Sequence, residues 1–215
     1  TFSGQESSGG NSDANGIGDF KYAVPTNCLA LCTSNIPEPT IGPNSATQAD
    51  DHFNTVLYTG DGNNSRTVTG VGFQPDWLWI KRRDGSNSHV LVDSSRGSGS
   101  NDSLLSLLSN VSDAEYDLND HVRSLDSDGF TLDDDTDNTV ATNNNGETYV
   151  AWNWKANGGT TSSNSDGTIT STVQANTTAG FSIVTYTGNG YETTVGHGLG
   201  AVPNMIITKR RSGAN

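Results

Sequence analysis

The sequence predicts an all-β fold made of tandem β-sandwich modules, of the jelly-roll or immunoglobulin-like kind. Hydrophobic residues make up only 31% of the chain, and 25 glycines accompany many Ser, Thr, Asn and Asp residues. This composition favours short strands joined by polar turns over helices that surround a deep pocket. A second observation is that one segment repeats at a fixed spacing, which is typical of proteins built as arrays of modules.

The repeat aligns residues 53–87 with residues 181–215 without a gap, at a constant offset of 128 that places Phe53 on Phe181. The identical positions in the first copy are Phe53, Val56, Tyr58, Thr59, Gly60, Gly62, Gly70, Gly72, Pro75, Lys81, Arg82, Arg83, Gly85 and Asn87. We therefore predict a first module at 41–157, a flexible Gly/Ser/Thr-rich linker at 158–167, and the truncated start of a second module at 168–215.

Local patterns within the first module predict its elements in order. Apolar, β-branched and aromatic residues predict strands at 54–59, 77–81, 88–93, 129–132 and 149–155. The first two of these end in Gly-containing turn sequences. Leu104, Leu105 and Leu108 follow Asp102 and Ser103, which are suitable caps, and together they predict one short helix. We expect about seven or eight strands per module.

Charge and cysteine content restrict the classes of partner. The net charge of -13 disfavours nucleic acid and anionic lipid as partners. No stretch approaches the roughly 18 apolar residues of a membrane span, so membrane insertion is not expected. Cys28 and Cys32 would lie roughly 13 Å apart on a strand, too far for a disulfide, and are predicted to be small buried residues. Stability would then come from oligomerisation after assembly in a reducing cytoplasm.

Several segments resemble repeat modules of structural and fibre proteins of tailed bacteriophages, notably cyanophages and other phages of marine hosts. The segments are 53–60, 72–76, 149–155 and 195–200. Residues 1–40, through 2–5 and 18–25, resemble the C-terminal end of a SPRY-like, lectin-type β domain. The resemblance implies a virion protein that is assembled in the host cytoplasm and contacts other virion proteins. It brings no active site. The thin cores and edge strands expected of such modules favour a homo-oligomer, with a trimer as the expected state.

Four tryptophans form two pairs at the i, i+2 spacing that puts both rings on one face of a strand. The pairs are Trp77 with Trp79 and Trp152 with Trp154. Exposed rings would form a platform for sugars, and buried rings would fill a core. Met205 and Ile207 replace the first pair in the second copy, which favours core packing for Trp77 and Trp79. Core packing is also preferred for Trp152 and Trp154, which are kept as candidate glycan contacts.

A basic triplet occurs in both copies, and the two triplets together contain 6 of the 11 basic residues of the chain. Its members are Lys81, Arg82 and Arg83, and then Lys209, Arg210 and Arg211. One interpretation is an anion site for phosphate, sulfate or an acidic glycan. The other is an ion-pair cluster with Asp residues, within a subunit or between subunits. Neighbouring strand residues point to opposite faces, which favours the ion pairs.

Acidic residues near the end of the first module suggest Ca²⁺, the one cofactor considered. They are Asp126, Asp128, Asp133, Asp134, Asp135 and Asp137. The spacing and the distal Glu of an EF-hand loop are missing, so a solvated acidic loop is the preferred interpretation. His197 is replaced by Thr69 in the first copy and is expected to be a turn residue. No linear catalytic motif is found, and no catalytic residue is predicted.

The sequence therefore favours a non-enzymatic virion structural protein of a tailed phage, a fibre, spike or capsid-surface appendage used for assembly and host attachment. The alternative is a carbohydrate-binding adhesin or lectin module that contacts a host surface glycan. A second alternative is a polysaccharide-depolymerising tailspike, because the carboxylate pairs of such enzymes are brought together by folding and leave no linear signature.

Overall fold

The computed structural model describes residues 9–35, 48–99, 103–117, 120–134 and 140–213. The chain divides into two compact units, Thr1–Thr40 and Ile41–Asn215. Apart from two short 3-10 helices, Thr33–Asn35 and Ala49–Asp51, the regular elements of the described ranges are strands, which confirms the all-β class. No helix in these ranges is long and apolar enough to cross a membrane.

The described part of the first unit, residues 9–35, is a set of turns held together by hydrogen bonds to Asp13. A bridge joins Asn11 to Phe20, and the Asp13 carboxylate accepts hydrogen bonds from both sides of the unit. Both cysteines are free thiols. Cys28 is exposed and Cys32 is half-buried, so the prediction that they are buried is wrong. They lie outside the strands. The Cys28 N–H group donates a turn-type hydrogen bond to Pro25 O at 3.0 Å.

The second unit contains eleven strands among its described residues, arranged in three antiparallel sheets. The strands are β1 (Phe53–Thr59), β2 (Arg66–Thr69), β3 (Trp77–Arg82), β4 (Val90–Asp93), β5 (Leu107–Leu108), β6 (Val122–Asp126), β7 (Gly129–Leu132), β8 (Thr148–Trp154), β9 (Ser162–Asn164), β10 (Ser171–Asn176) and β11 (Phe181–Thr185). Their order is β1-β8-β3-β4-β5 in the first sheet, β2-β7-β6 in the second and β11-β10-β9 in the third.

The first two sheets share one hydrophobic core. Alternate residues of the five-stranded sheet face it, among them Tyr58, Leu78 and Tyr149. Phe130 and Leu132 reach the same core from the three-stranded sheet. Side chains alternate between the faces of a strand, so this core uses only every second residue of β1, β3 and β8. Full burial of a large apolar side chain such as Leu78 or Phe130 contributes roughly 1.5–3 kcal/mol to the stability of the fold.

The five predicted strands of the first module correspond to β1, β3, β4, β7 and β8. The predicted helix at 104–108 is wrong, since Leu107–Leu108 form β5 and pair with β4. Leu108 enters the core and Leu107, one residue earlier, takes the opposite face, as strand geometry requires. Ser103 is buried in the described structure, whereas Asp102, the other proposed cap, lies outside the described residues.

The predicted linker at 158–167 contains strand β9, which pairs with β10. Its first residues are bonded to buried side chains, because Gly158 N–H and Gly159 N–H both donate to Asp76. A flexible connection between two sandwich modules is therefore not confirmed. The tandem arrangement itself stays a prediction.

Candidate functional site

The outer face of the five-stranded sheet, opposite the core, carries all four tryptophans. Register places Trp77 beside Trp154 and Trp79 beside Trp152 on neighbouring strands β3 and β8. All four side chains are half-buried, and none belongs to the core cluster. The prediction that they pack in the core is therefore wrong, because their strand positions have the parity of the solvent side. The role of Trp152 and Trp154 as glycan contacts stays a prediction.

The rings form one continuous aromatic cluster. Trp77 and Trp154 are 4.4 Å apart between ring centroids, and Trp79 and Trp152 are 5.5 Å apart, at tilted angles of 43° and 58°. Phe53 of β1 lies 4.8 Å from Trp154. Phe181 of β11 stacks on Trp77 at 5.9 Å and so covers part of the cluster from the third sheet. We call the six residues Phe53, Trp77, Trp79, Trp152, Trp154 and Phe181 the aromatic face.

The side of the cluster away from Phe181 is more open. Leu57 on β1 is 60% exposed, and Thr55 beside Trp152 is also exposed. Lys81 lies beside Val150 on the same face and is the charged residue among the outward positions of β1, β3 and β8. The indole N–H of Trp79 is itself buried and has no hydrogen-bond partner in the part of the chain that the structure describes. This side combines apolar area with a few polar groups.

Residues 48–215 match the family described as Domain of unknown function (DUF7483). The chain belongs to the DUF7483 family. The match includes the aromatic face, both basic triplets and the whole 158–167 segment, so the DUF7483 domain contains every site residue considered from the sequence. No curated protein and no solved structure matches the chain.

The first basic triplet of the DUF7483 domain lies at the end of β3, where two of its members bond to the following turn. Lys81 Nζ donates to Arg82 O at 2.6 Å and to Gly85 O at 3.1 Å. Arg82 forms ion pairs with Asp84 at 2.8 Å and Glu147 at 2.6 Å. The Arg82 hydrogen bond, together with one from the Thr148 backbone, lowers the pKa of Asp84 to about 2. Arg83 is exposed.

The second triplet contacts the segment before β6. Lys209 Nζ donates to Val111 O at 2.6 Å and to Asp113 O at 3.3 Å. Arg211 forms a two-point ion pair with Glu115, at 2.9 Å for its closest atoms. Arg210 is exposed. The two triplets therefore have different partners, although their sequences are identical.

Arg211 also completes a four-residue ion-pair chain that sequence reasoning missed. Arg96 bonds to Asp93 at 2.5 Å and to Glu115 at 2.6 Å, and its side chain is only 3% exposed. Burial raises the pKa of Glu115, but the hydrogen bonds from Arg211 and Arg96 outweigh it, and the net shift is downward. The i, i+3 spacing of Asp93 and Arg96 is a weak sequence signal for an ion pair between them. The contribution of Glu115 and Arg211 depends on tertiary structure alone.

The four described acidic residues among those proposed for Ca²⁺ have separate hydrogen-bond donors. Asp126 accepts from Ser124 and Thr131, Asp128 accepts from two backbone N–H groups, and Asp133 is paired with Arg123. Asp134 accepts a hydrogen bond from Asn64. Asp135 and Asp137 lie outside the described residues. Within the described ranges, no group of three or more His, Cys, Asp or Glu residues is placed to hold a metal ion.

Two buried polar residues, Asp76 and Gln174, hold the start of the 158–167 segment. The Asp76 carboxylate accepts from the N–H groups of Ala156, Gly158 and Gly159 at 2.7–2.9 Å, and from the Ser94 hydroxyl at 2.7 Å. Every one of these bonds is internal to the DUF7483 domain, so Asp76 acts as a structural anchor. The sequence offered only a Pro-Asp dipeptide before a strand as a signal for it.

His197 also has a local role. Its Nδ1 accepts a hydrogen bond from Leu199 N–H at 3.2 Å, two residues further along the chain, as expected for a turn residue. Among the residues considered from the sequence, the structure therefore brings together the tryptophans and Lys81 on one face. It places the second triplet and the acidic residues elsewhere in the domain.

Proposed function

We propose that the DUF7483 domain is a non-enzymatic module of a tailed-phage virion, in a fibre, spike or capsid-surface appendage, that serves assembly and host attachment as a homo-oligomer. The observation that carries this proposal is the aromatic face, whose tryptophans are only half-buried in a single copy of the chain. Contiguous apolar surface of this kind marks contact sites on proteins. The resemblance of segments 53–60 and 149–155 to phage modules supports the virion as the setting.

The charge distribution favours another copy of this chain as the occupant of the aromatic face. The domain is strongly acidic, with 24 Asp and Glu residues in the whole chain against 11 Lys and Arg. Two copies would repel each other through most of their surfaces at low salt. The outward positions of β1, β3 and β8 carry no acidic residue, so the aromatic faces of several copies can pack around a common axis without a like-charge contact between carboxylates. A trimer is the expected state.

The oligomeric state tests this proposal directly. We expect the wild-type chain to sediment as an oligomer in analytical ultracentrifugation, and the double variant Leu57→Ser/Trp152→Ser to sediment as a monomer. Tyr191→Ser is the matched control, because Tyr191 is 82% exposed but lies outside the aromatic face. Circular dichroism checks that all three chains stay folded. A wild-type chain that remains monomeric at high concentration would contradict the proposal.

Carbohydrate binding is the second candidate, favoured by the open side of the aromatic face. Trp152 and Trp79 lie on that side, with Thr55 and Lys81 as polar groups at its border. A tryptophan offers both an apolar face and a hydrogen-bond donor, which suits a sugar ring. We would expect glycan-array binding that Trp152→Ala abolishes and Tyr191→Ala preserves. Binding that survives in both variants would exclude this site, and release of reducing sugar would favour the depolymerase hypothesis instead.

A further inference from the structure

One histidine lies where the β9–β11 sheet meets the five-stranded sheet. His52 immediately precedes β1, and its backbone is bonded on both sides, because its N–H donates to Ala49 O at 3.1 Å and its C=O accepts from Lys155 N–H at 2.8 Å. Its side chain is half-buried, and Nδ1 lies 2.9 Å from Nδ2 of Asn176, the last residue of β10. We call this contact between His52, Lys155 and Asn176 the His52 joint.

Two further hydrogen bonds determine which atom donates in the joint. Asn176 Oδ1 accepts from Ala179 N–H at 3.0 Å, and Asn176 Nδ2 donates to Lys155 O at 3.2 Å. Rotating the amide by half a turn would lose both bonds, so Nδ2 faces the imidazole and donates its second hydrogen to it. His52 Nδ1 is then an acceptor. A neutral imidazole has one donor and one acceptor, so the proton of the neutral ring is on Nε2.

Protonation of His52 converts this hydrogen bond into a contact between two donors. Both nitrogens of an imidazolium carry hydrogen, so Nδ1–H would point at the amide hydrogens of Asn176. The amide cannot turn over to accept this hydrogen without losing its bonds to Ala179 and Lys155. Polar groups that lose their partners at a partly buried site reduce stability. The closed joint and the protonated ring therefore oppose each other.

The charged residues on the elements around His52 have other partners or lie in solvent. Asp51 accepts a hydrogen bond from Gln48 N–H at 2.7 Å, and Lys155 Nζ lies 5.9 Å from the ring centroid of Phe73. Strand β10 and the turn at 177–180 contain no charged residue. Within the described ranges no ion pair joins the imidazole to any of these charged residues, which are Asp50, Asp51, Asp76 and Lys155. A direct ion pair therefore does not compensate the donor–donor contact.

We propose that the His52 joint is a proton-sensitive connection between the two sheets, closed while the imidazole is neutral and opened when it is protonated. Because the closed joint needs the neutral ring, its stabilisation is complete above about pH 7 and is lost as the pH falls towards about 5. The hairpin after Asn176 places Phe181 on Trp77 and Trp154, at centroid distances of 5.9 Å and 6.2 Å. Opening of the joint therefore uncovers this end of the aromatic face in acid.

The joint goes beyond the proposed assembly role, since it does not depend on what the aromatic face binds. Native-state hydrogen exchange of the β10 amides tests it, with protection factors corrected for the intrinsic effect of pH. Strand β7 of the second sheet is the internal reference. We expect the protection of β10 relative to β7 to fall at least about fivefold between about pH 7.5 and about pH 5. Protection of β10 that does not change relative to β7 overturns the proposal.

Two variants assign the effect to one histidine. His52→Asn offers an amide oxygen as a non-titrating acceptor in the place of Nδ1, so β10 should keep its protection at both pH values. His197→Asn is the matched control, because Gly198 beside it packs against Val173 of β10, and this variant should retain the pH dependence. A pH dependence that persists in His52→Asn, or one that is lost only in His197→Asn, overturns the proposal.

The tautomer of His52 gives a second test on the wild-type chain, which is decisive even if a variant fails to fold. Two-bond correlation of the ring protons with the ring nitrogens by nuclear magnetic resonance, at about pH 8, distinguishes the two neutral forms. We expect the proton on Nε2 and an unprotonated Nδ1. A neutral ring with its proton on Nδ1 would mean that Asn176 accepts from His52, and the proposal would then be wrong.

Discussion

Single buried polar side chains organise the loops of this molecule. Asp76, Asn143 and Gln174 are each fully buried, and each bonds to backbone or side-chain groups from distant parts of the chain. Asn143, for example, donates to Asp133 O and Asn63 O, and so joins two loops that the sequence separates by about 70 residues. Such groups are stable in the interior only when their hydrogen bonds are satisfied, so they are sensitive to substitution.

Asp76→Ala is expected to lower the free energy of unfolding by about 3 kcal/mol, because it leaves three backbone N–H groups and one hydroxyl without their buried acceptor. Urea denaturation monitored by tryptophan fluorescence measures the change. Asp50→Ala, at an exposed carboxylate, is the control and should change the value by less than about 0.5 kcal/mol. An equal effect in both variants would contradict the anchoring role of Asp76.

Asp13 makes the first unit sensitive to acid. A hydrogen bond from Ala30 N–H, assisted by those from Ile17, Asn35 and Asn15 and opposed by burial, lowers the pKa of Asp13 to about 2 from its ordinary 3.8. A folded-state pKa below the unfolded value means that the stabilisation is complete above about pH 4 and is lost as the pH falls through about 2. Nuclear magnetic resonance titration of the Asp13 carboxyl and the Ala30 amide should show this midpoint. Asp13→Asn should abolish the step at Ala30.

At the scale of elements, the alternation of apolar residues predicts strands correctly, whereas strands that depend on pairing with a neighbour are missed. The apolar residues of β1, β3 and β8 alternate clearly, and the prediction of these strands is confirmed. β2, Arg66–Thr69, has a single apolar residue, and its identity as a strand depends on pairing with β7. The leucines at 104–108 fit a helix and a strand equally well over so short a run, and pairing with β4 decides for the strand. The alternation of residues along β3 and β8 does not show which of the two faces packs in the core. For this reason the prediction placed the tryptophans on the wrong face.

Leu108→Ala is expected to destabilise the domain by about 3 kcal/mol, because it removes a buried side chain from the core that β5 helps to close. Leu57→Ala, at a 60% exposed position, should cost less than about 1 kcal/mol. Thermal denaturation of both variants provides the comparison. If 104–108 were a surface helix, the Leu108 substitution would have a small effect, since alanine is the best helix former.

The ion-pair chain offers a second comparison at this scale. Arg96→Ala leaves Asp93 and Glu115 without their shared partner in a mostly buried position, and we expect a loss of about 3–5 kcal/mol. Arg211→Ala removes an ion pair whose arginine side chain is 44% exposed, and the loss should be below about 1 kcal/mol. Chemical denaturation at low and high salt measures both. Equal losses would mean that Arg96 is more solvated than its 3% exposure indicates.

At the scale of the whole domain, the β9–β11 sheet is joined to the five-stranded sheet by polar and aromatic contacts. Gln174 of β10 accepts from Asn157 and Gly159 and donates to Ser94 and Ser95. Phe181 stacks on Trp77, and Asn176 bonds to His52. The family match runs through the same region without interruption. These contacts favour cooperative unfolding of the two sheets, even though the sequence repeat suggested separate modules.

Gln174→Ala should uncouple the two sheets. The wild-type domain is expected to show one calorimetric transition for the second unit, with amides of β3, β8 and β10 exchanging at similar rates in native-state hydrogen exchange. Without Gln174, the N–H groups of Asn157 and Gly159 lose an acceptor, and β10 should exchange faster while β3 and β8 keep their protection. Gln174→Glu retains an acceptor for both N–H groups and should preserve more of the coupling. Two transitions in the wild-type chain would instead favour independent modules, because the contacts around Gln174 would then be too weak to link the sheets.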